Sequence, residues 1–373
     1  MANNILVTGG AGFVGSHLVD ALINRGHNVR VFDSFSPQVH GEISPDYLAQ
    51  GADVMRGDMQ DHSAVSRALE GIDIVFHLAA AVGVGQSMYE ISHYMGTNTQ
   101  GTAVLLQALL SRKSKVQKLV VASSMSIYGE GNYYCKPCGN MSQPGLRSPQ
   151  QLQSKQWEMI CDTCGNALAP VPTDESKPLQ CSSIYALSKK DQEEMTLLFG
   201  RTYGLPVVAL RYFNIYGPRQ ALSNPYTGVA AIFASRFLNG KAPLVFEDGR
   251  QMRDFVSVHD VVRANLLAMD HAACNGMVLN IGSGEPVTIA QVAETLARAL
   301  KSSIPLELTG KYRAGDIRHC FADITAAKTY LGYEPIMRFA DGVKELVEWL
   351  QSQEATDRSA EALAQLNHFG LAA

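Results

Sequence analysis

A tyrosine and a lysine stand four residues apart in the segment IYALSKKDQEE, where Tyr185 and Lys189 would share one face of a helix. A lysine ammonium beside a phenol favours the phenolate and lowers the pKa of the tyrosine, which makes Tyr185 a candidate general base. Ser124 ends the apolar run KLVVASS, and its hydroxyl could hydrogen-bond the same substrate oxygen. The simpler alternatives are a surface pair for the tyrosine and lysine, and a strand-end cap for the serine.

A glycine-rich segment, TGGAGFVG, follows the first apolar run and opens a helical segment. Gly9, Gly12 and Gly15 allow a tight turn and let backbone N–H groups approach a pyrophosphate. The next apolar run ends at Asp33, eighteen residues after Gly15, and a carboxylate there binds both ribose hydroxyls and disfavours a 2′-phosphate. The two residues after Asp33 include no arginine, so the predicted cofactor is NAD rather than NADP. A glycine turn that only packs a helix on a strand is the alternative.

These residues need a scaffold, and apolar runs alternate with helix-length segments from Ile5 to about Ala122. The strand candidates are ILVTGG, HNVRVFD, DVMRGD, IDIVFHLAA and KLVVASS, and the helix candidates between them include Gly15 to Arg25 and Ser63 to Leu69. Alternation of this kind predicts an α/β fold with a doubly wound, Rossmann-type parallel sheet that binds its ligand at the carboxyl ends of the strands.

The pattern breaks after Gly129 and resumes with LPVVALRYFN, while later helices are predicted from Ile184, at Ile289 to Leu300 and at Phe339 to Ser352. We expect an NAD-binding domain at 1–129 and 181–223. Residues 130–180 are predicted to form an insertion, and 224–373 mainly a smaller substrate-capping domain with segments that return to the first domain.

Composition narrows the class of partner. The 373 residues include 31 basic and 35 acidic side chains, for a net charge of −4, so no excess positive charge favours nucleic acid or an anionic membrane. No apolar run reaches the roughly 18 residues that span a bilayer, and the start MANNILV lacks the pattern of an export signal. We therefore expect a cytoplasmic protein with a small-molecule substrate, no nucleic-acid partner and no membrane.

Taken together, the motifs resemble the extended short-chain dehydrogenase/reductases that act on nucleotide sugars. The resemblance covers nearly the whole chain outside 130–180 and rests on TGGAGFVG, HLAA, TNTQGT, SSMSIYG, YALSK, RYFNIYGPRQ, RDFVSVHD, NIGSG and RAGDIRH. It implies that Ser124, Tyr185 and Lys189 form the catalytic set and that hydride moves from C4 of the sugar to NAD.

The resemblance also implies which further residues contact the cofactor and the substrate. Additional cofactor-binding residues are expected at Phe13, Val14, Asp58, Met59, Leu78, Ala79, Ala80 and Asn98, with a helix cap as the alternative role of Asp58. Substrate-binding residues are expected at Val84, Ser126, Asn214, Phe246, Arg253, Arg313 and Asp316. Asn214 and the two arginines would hold the pyrophosphate, Phe246 the base and Asp316 the nucleotide ribose, and the alternative for each arginine is a surface ion pair.

The two residues after Ser124 limit the types of reaction that the site could catalyse. Members of this family that dehydrate the sugar carry an Asp-Glu pair there and the decarboxylases usually carry the Glu, whereas this chain has Met125 and Ser126. Without a general acid to expel a 6-hydroxyl, 4-epimerisation is favoured. The small residues Val82 to Gly85 could leave room for the keto-sugar to turn over, or could form a flexible loop without catalytic consequence.

Four of the seven cysteines lie in the insertion, as Cys135, Cys138, Cys161 and Cys164. Two C-x2-C pairs separated by 22 residues match the knuckles of a zinc ribbon and predict a structural zinc with four thiolate ligands. Disulfides or free thiols are the alternatives. Because the insertion enters just before Tyr185, we expect it to border the sugar pocket as a wall or lid.

This four-cysteine insertion resembles one in bacterial dTDP-L-rhamnose 4-epimerases, which favours dTDP-L-rhamnose and dTDP-6-deoxy-L-talose as the substrate pair. Other enzymatic alternatives are a UDP-hexose or UDP-uronate 4-epimerase, a UDP-glucuronate decarboxylase and a 4-keto reductase. A different class of alternative is an NAD-sensing interaction protein that recruits a partner through the zinc ribbon. The helix around Thr99 to Leu110 is apolar on most sides, and since relatives dimerise through it, a homodimer is expected.

Overall fold

The computed structural model describes residues 2–41, 45–111, 116–221, 226, 228–313, 315–351, 353, 357 and 359–372. In chain order its strands are β1 (Asn4–Thr8), β2 (Asn28–Asp33), β3 (Asp53–Arg56), β4 (Ile74–His77), β5 (Lys118–Ser124), β6 (Asn132–Cys135), β7 (Asn140–Ser142), β8 (Ala169–Val171), β9 (Val207–Tyr212), β10 (Asn214–Tyr216), β11 (Leu244–Val245), β12 (Met252–Ser257), β13 (Val278–Ile281), β14 (Pro286–Thr288), β15 (Glu307–Leu308) and β16 (His319–Cys320).

The α-helices are α1 (Phe13–Asn24), α2 (Pro37–His40), α3 (His62–Ala68), α4 (Val84–Ser87), α5 (Ile91–Tyr94), α6 (Gly101–Ser111), α7 (Pro149–Gln153), α8 (Ile184–Tyr203), α9 (Val229–Leu238), α10 (Val258–Asp270), α11 (Ile289–Ala299), α12 (Thr325–Leu331), α13 (Phe339–Gln351) and α14 (Ser359–His368). A π-helical stretch, Met95–Gln100, joins α5 to α6, and short 3₁₀ helices occur at Met125–Tyr128 and Ala272–Cys274. Each predicted strand and helix is present. Ser352, the expected last residue of α13, lies outside the described residues.

The central sheet has seven strands in the order β13-β9-β5-β4-β1-β2-β3, and all of them run parallel. The strands β5 and β9 are buried along their whole length, as expected for parallel strands covered on both faces. Leu18, Val261 and Leu331, from α1, α10 and α12, belong to the hydrophobic core on one face. Val65 and Leu105, from α3 and α6, belong to the core on the other face. The predicted Rossmann-type fold is confirmed.

Connections in this sheet change direction at β1, because β2 and β3 extend to one side and β4, β5, β9 and β13 to the other. Such a reversal opens a crevice at the carboxyl ends of the strands, where ligands of α/β proteins bind. The chain after residue 224 contributes to this sheet through β13 and also forms a second body beside it. That body contains β11, β15, α9, α11 and α13 around a separate core that includes Phe233, Leu296 and Leu346.

The insertion at 130–180 is a small three-stranded antiparallel sheet in the order β7-β6-β8. Its own core is small and consists of Tyr133, Cys135, Met159, Cys161 and Leu168. A segment with so little apolar surface needs another source of stability. Elsewhere in the molecule, no helix within the described ranges is both long and apolar enough to cross a membrane.

Candidate active site

A cleft of about 960 Å³ lies at the carboxyl ends of β1, β2, β4, β5 and β9. It brings together residues that are distant in sequence. All the expected cofactor, substrate and catalytic residues except Asn98 line it, namely Gly9, Gly12, Phe13, Val14, Gly15, Asp33, Asp58, Met59, Leu78, Ala79, Ala80, Val84, Ser124, Ser126, Tyr185, Lys189, Asn214, Phe246, Arg253, Arg313 and Asp316.

The glycine turn is packed too tightly for side chains. A Cβ on Gly15 would lie 2.1 Å from the Gly9 carbonyl oxygen, and a Cβ on Gly9, whose φ is +68°, would lie 2.8 Å from the Ala79 nitrogen. The helix α1 begins directly after Gly12, which has no side chain to cap it. Its first N–H groups therefore face the cleft without a side-chain acceptor, an arrangement that fits the pyrophosphate of NAD.

Asp33 lies at the end of β2 and is 9% exposed. Its carboxylate accepts hydrogen bonds from the backbone N–H groups of Ala11, at 3.0 Å, and Phe35, at 2.9 Å, which fix its orientation at the rim of the cleft. His40 was not expected at the site, and its Nε2 lies 3.9 Å from the carboxylate. Burial lowers the pKa of His40, against the opposing charge of Asp33, so a neutral imidazole adds no cation that would attract a 2′-phosphate.

Two other residues expected at the cofactor differ in their surroundings. Asp58 lines the cleft and accepts from the Gln60 N–H, while the cap of α3 is Asp61, so the alternative role of Asp58 as the helix cap is wrong. Asn98 is fully buried behind the cleft wall. Its side-chain amide exchanges hydrogen bonds with both backbone groups of Ala81 and donates to Ser188, so it joins the wall of the cleft to α8.

The catalytic candidates meet where β5 ends and α8 begins. Ser183 caps α8, which places Tyr185 in the first turn, where the Ser124 hydroxyl is near enough to the phenol to lower its pKa. The Lys189 ammonium is 3% exposed, donates to the Gln192 side-chain oxygen at 2.7 Å and contacts the Ala122 carbonyl. Tyr185 and Lys189 are therefore not a surface pair.

Burial is the main influence on the pKa values of Tyr185 and Lys189. It raises the pKa of Tyr185, a shift that the hydrogen bond from Ser124 opposes, and it lowers the pKa of Lys189 to about 7. Burial thus outweighs the Ser124 hydrogen bond in the protein alone, and the expected lowering of the tyrosine pKa stays a prediction for the enzyme with NAD⁺ bound. The cationic nicotinamide ring of bound NAD⁺ would act in the opposite direction and favour the phenolate.

A buried polar network lies behind Lys189. His77 hydrogen-bonds Thr8 at 2.8 Å and Thr102 at 2.9 Å, and Gln192 links Thr102 to Lys189. Burial, together with the lysine charge, lowers the pKa of His77 to about 3, which keeps the imidazole neutral. Gln192 was missed from the sequence, although its place three residues after Lys189 on one helix face was a usable signal.

The substrate candidates form the opposite wall. The Arg313 guanidinium lies 4.8 Å from the centre of the Phe246 ring, and its Nε donates to the Asp316 carboxylate at 2.7 Å. The Arg253 guanidinium donates to three main-chain carbonyls, including that of Ile317 at 2.7 Å. The buried Asn214 Oδ1 has no hydrogen-bond partner among the described residues, as expected for an atom that contacts a ligand.

The C-terminal helix α14 supplies an apolar wall that the sequence did not indicate, because the tail is polar overall. Ala362, Leu363 and Leu366 of α14 line the cleft, together with Leu371, which follows the helix. A Cβ on Gly85 would lie 3.2 Å from a Leu366 methyl, so α14 packs against the VGVG segment.

The four cysteines lie outside the cleft, and no residue of 130–180, all of which are described, lines it. The expectation that the insertion forms a wall or lid of the sugar pocket is therefore wrong. The four Sγ atoms lie within 4.8 Å of one another, with Cys135–Cys164 at 3.5 Å and Cys138–Cys161 at 3.9 Å. A tetrahedral zinc with bonds of about 2.3 Å needs sulfur atoms about 3.8 Å apart, so the residues fit that ion.

The family model for the NAD dependent epimerase/dehydratase family matches residues 5–149 and 161–282, and the chain belongs to this family. The dTDP-L-rhamnose 4-epimerase of Burkholderia thailandensis is 33% identical over 94% of the chain and 95% of the relative. The UDP-glucose 4-epimerase of Thermotoga maritima, solved with UDP-glucose, has a TM-score of 0.76 and 33% identity, with coverage of 93% and 98%.

A UDP-glucuronic acid 4-epimerase mutant from Bacillus cereus, solved with a fluorinated UDP-glucuronic acid and NAD, has a TM-score of 0.76 and 26% identity over 93% and 99% of the two chains. With these relatives, the chain is an NAD-dependent nucleotide-sugar epimerase, an isomerase, and the resemblance drawn from its motifs is confirmed. The comparisons favour the enzyme over an NAD-sensing interaction protein.

Proposed function

We propose that the enzyme interconverts dTDP-L-rhamnose and dTDP-6-deoxy-L-talose by inversion at C4. The observation that carries the reaction class is the meeting of Ser124, Tyr185 and Lys189 beside the glycine turn, with Met125 and Ser126 where a dehydratase would carry its acid. The sugar is supported by the dTDP-L-rhamnose relative and by the apolar wall around Leu366, since a 6-methyl group suits leucine side chains better than a carboxylate does.

In this reaction, bound NAD supplies a reversible two-electron oxidation at C4. The Tyr185 oxygen takes the proton of the 4-hydroxyl as hydride leaves C4, and returns it when hydride comes back to the other face. Ser124 orients the sugar oxygen and the phenol together. The Lys189 ammonium stabilises the phenolate, and its low pKa of about 7 lets it exchange a proton near neutral pH.

UDP-hexoses and UDP-uronates are the alternative substrates, because 4-epimerases of both kinds are close relatives in fold. A decarboxylase and a 4-keto reductase are the alternative reactions. The test is to incubate the protein separately with dTDP-L-rhamnose, UDP-glucose and UDP-glucuronate and to resolve the products. We expect C4 inversion to be fastest with dTDP-L-rhamnose. Faster turnover of a UDP sugar would overturn the sugar assignment, and carbon dioxide release or stoichiometric NADH consumption would overturn the reaction.

We also propose that the four cysteines hold one structural zinc. Four thiolates leave no open coordination position, and the insertion has too small a core to fold alone. Elemental analysis should find about one zinc per chain. Metal-replete protein that contains none would contradict this assignment.

A homodimer and a cytoplasmic location remain our predictions. Leu110 on α6 is 48% exposed, and Leu198 and Tyr203 on α8 are 57% and 58% exposed, so these helices present apolar surface that a second copy would cover. Light scattering should give twice the chain mass. A monomer at micromolar concentration would contradict the dimer.

A further inference from the structure

The insertion contacts the substrate wall from behind, through buried ion pairs. Arg147 lies between the two cysteine pairs, and its guanidinium makes a two-point contact with the Glu247 carboxylate at 2.8 and 2.9 Å. The two side chains are 1% and 2% exposed. A bidentate contact between an arginine and a carboxylate fixes both position and orientation.

A second arginine completes this arrangement. The fully buried Arg318 donates to Glu247 at 2.9 Å, to Asp248 at 2.7 Å and to Glu158 of the insertion at 2.6 Å. Glu130, at the start of the insertion, accepts from the backbone N–H of Arg318. Three carboxylates thus surround Arg318, one from the insertion and two from the turn that follows β11.

Glu247 has an unusual backbone. Its φ of +55° lies in the left-handed region, which a residue with a Cβ rarely adopts. The two arginines hold its carboxylate, and its own N–H donates to the Lys311 carbonyl at 2.7 Å. The strained turn is therefore kept in place by side chains that come partly from the insertion.

That turn positions the residues assigned to the nucleotide. Phe246 immediately precedes Glu247, and the Arg313 guanidinium lies over the Phe246 ring. Arg147 also donates to the backbone carbonyl of Asp316 at 3.1 Å. One guanidinium from the insertion therefore contacts both segments that carry Phe246, Arg313 and Asp316, while it stays outside the cleft.

We propose that Arg147 is a positioning residue for nucleotide recognition, and that the insertion acts as a brace that holds the base- and ribose-binding segments in register. This inference rests on the proposed function, because that function assigns Phe246, Arg313 and Asp316 to the nucleotide. The cysteine cluster then has a role, because it fixes the fold of the insertion that carries Arg147. The brace affects binding of the nucleotide and leaves the chemistry at Tyr185 unaltered.

The experiment compares the full-length wild type with Arg147→Met. Isothermal titration with dTDP and with UDP measures nucleotide affinity, titration with NAD measures cofactor affinity, and steady-state kinetics separate kcat from KM. We expect the Kd of the nucleoside diphosphate and the KM of the nucleotide sugar to rise by about tenfold or more. The Kd of NAD and kcat should stay at their wild-type values.

Arg25→Met is the control, since it removes an exposed ion pair between the residue after α1 and Asp270 at the end of α10, and it should change none of these values. Arg147→Lys is the second variant, because it keeps the charge but cannot make the two-point contact. We expect it to lose affinity to a smaller degree, and it carries the test if Arg147→Met does not fold.

The outcomes separate the two proposals. Parallel losses of NAD affinity, kcat and thermal stability would show a purely structural role and would overturn the brace. Unchanged nucleotide affinity in the folded variants, in a wild type that binds dTDP or UDP and inverts C4, would overturn the brace alone. A wild type that binds neither nucleotide would overturn the proposed function and the brace with it.

Discussion

The substitution Gly15→Ala tests the cofactor turn most sharply. The added Cβ would lie 2.1 Å from the Gly9 carbonyl oxygen and 2.7 Å from the Gly10 Cα, and both are backbone atoms that cannot rotate away. Ordinary contact begins at 3.4 Å, so α1 and the turn must separate by 3.4 − 2.1 = 1.3 Å. That displacement would move the first N–H groups of α1 beyond hydrogen-bond distance of a pyrophosphate.

Overpacking of this kind costs about 1–3 kcal/mol, and each 1.4 kcal/mol is about a tenfold change in affinity. We expect the Kd of NAD, measured by titration of cofactor-stripped protein, to rise about tenfold or more, and Tm to fall by about 1–4 °C. Gly145→Ala is the matched control, because its Cβ would meet no atom within 4 Å, and it should leave both values unchanged. A Gly15→Ala protein with wild-type NAD affinity and Tm would refute the packing argument.

Three further predictions concern other parts of the molecule. Tyr185→Phe should lower kcat by about 10²–10⁴-fold with unchanged NAD affinity, and turnover near the wild-type rate would remove Tyr185 from the chemistry. Removal of metal by a chelator, or Cys161→Ser, should weaken dTDP binding while NAD binding persists; equal losses of both would argue against the brace. Glu158 should stabilise the fold in a pH-dependent way. Burial acts to raise its pKa, but hydrogen bonds from His319 and Arg318 lower it to about 2, below the ordinary 4.5. The folded chain then binds fewer protons between these values, so the contribution of Glu158 is present above pH 4.5 and is lost as the pH falls toward 2. The Tm difference between wild type and Glu158→Gln should shrink from pH 5 to pH 3, and a constant difference would contradict this assignment.

The fold and the cofactor side of the site were predictable because their signals are local. The central strands read as continuous apolar runs, and the spacing of Gly9, Gly12 and Gly15 before a helix specifies the turn directly. The pairing of Tyr185 with Lys189 follows from one helix. Here the sequence and the structure agree because each feature depends on residues that are neighbours along the chain.

The features that sequence reasoning missed depend on contacts between distant segments. Arg147 and Glu247 are 100 residues apart, and Arg318 and Glu247 are 71 apart, so no spacing rule connects them. The insertion enters the chain close to Tyr185, yet it packs against the back of the substrate wall instead of lining the cleft. The nearness of the insertion to Tyr185 in sequence did not predict its position, because the chain leaves the central fold and returns to it at one edge of the site.

The direction of the pKa shift of Tyr185 in the protein alone could not be predicted from the sequence, for a related reason. A neighbouring cation can be inferred from an i, i+4 spacing, but burial is a property of the folded molecule, and burial raises the pKa of Tyr185. The apolar wall from α14 was missed because its leucines are separated by polar residues in the tail. Only the folded structure shows that Leu366 packs against Gly85 in the cleft.

The most direct test of the account uses dTDP-L-rhamnose with deuterium at C4. Transient oxidation at C4 and return of the same hydride predict dTDP-6-deoxy-L-talose that retains the deuterium at C4, without net reduction of NAD and without incorporation of hydrogen from solvent. Loss of the label to solvent during inversion, or inversion that proceeds without bound NAD, would contradict the account.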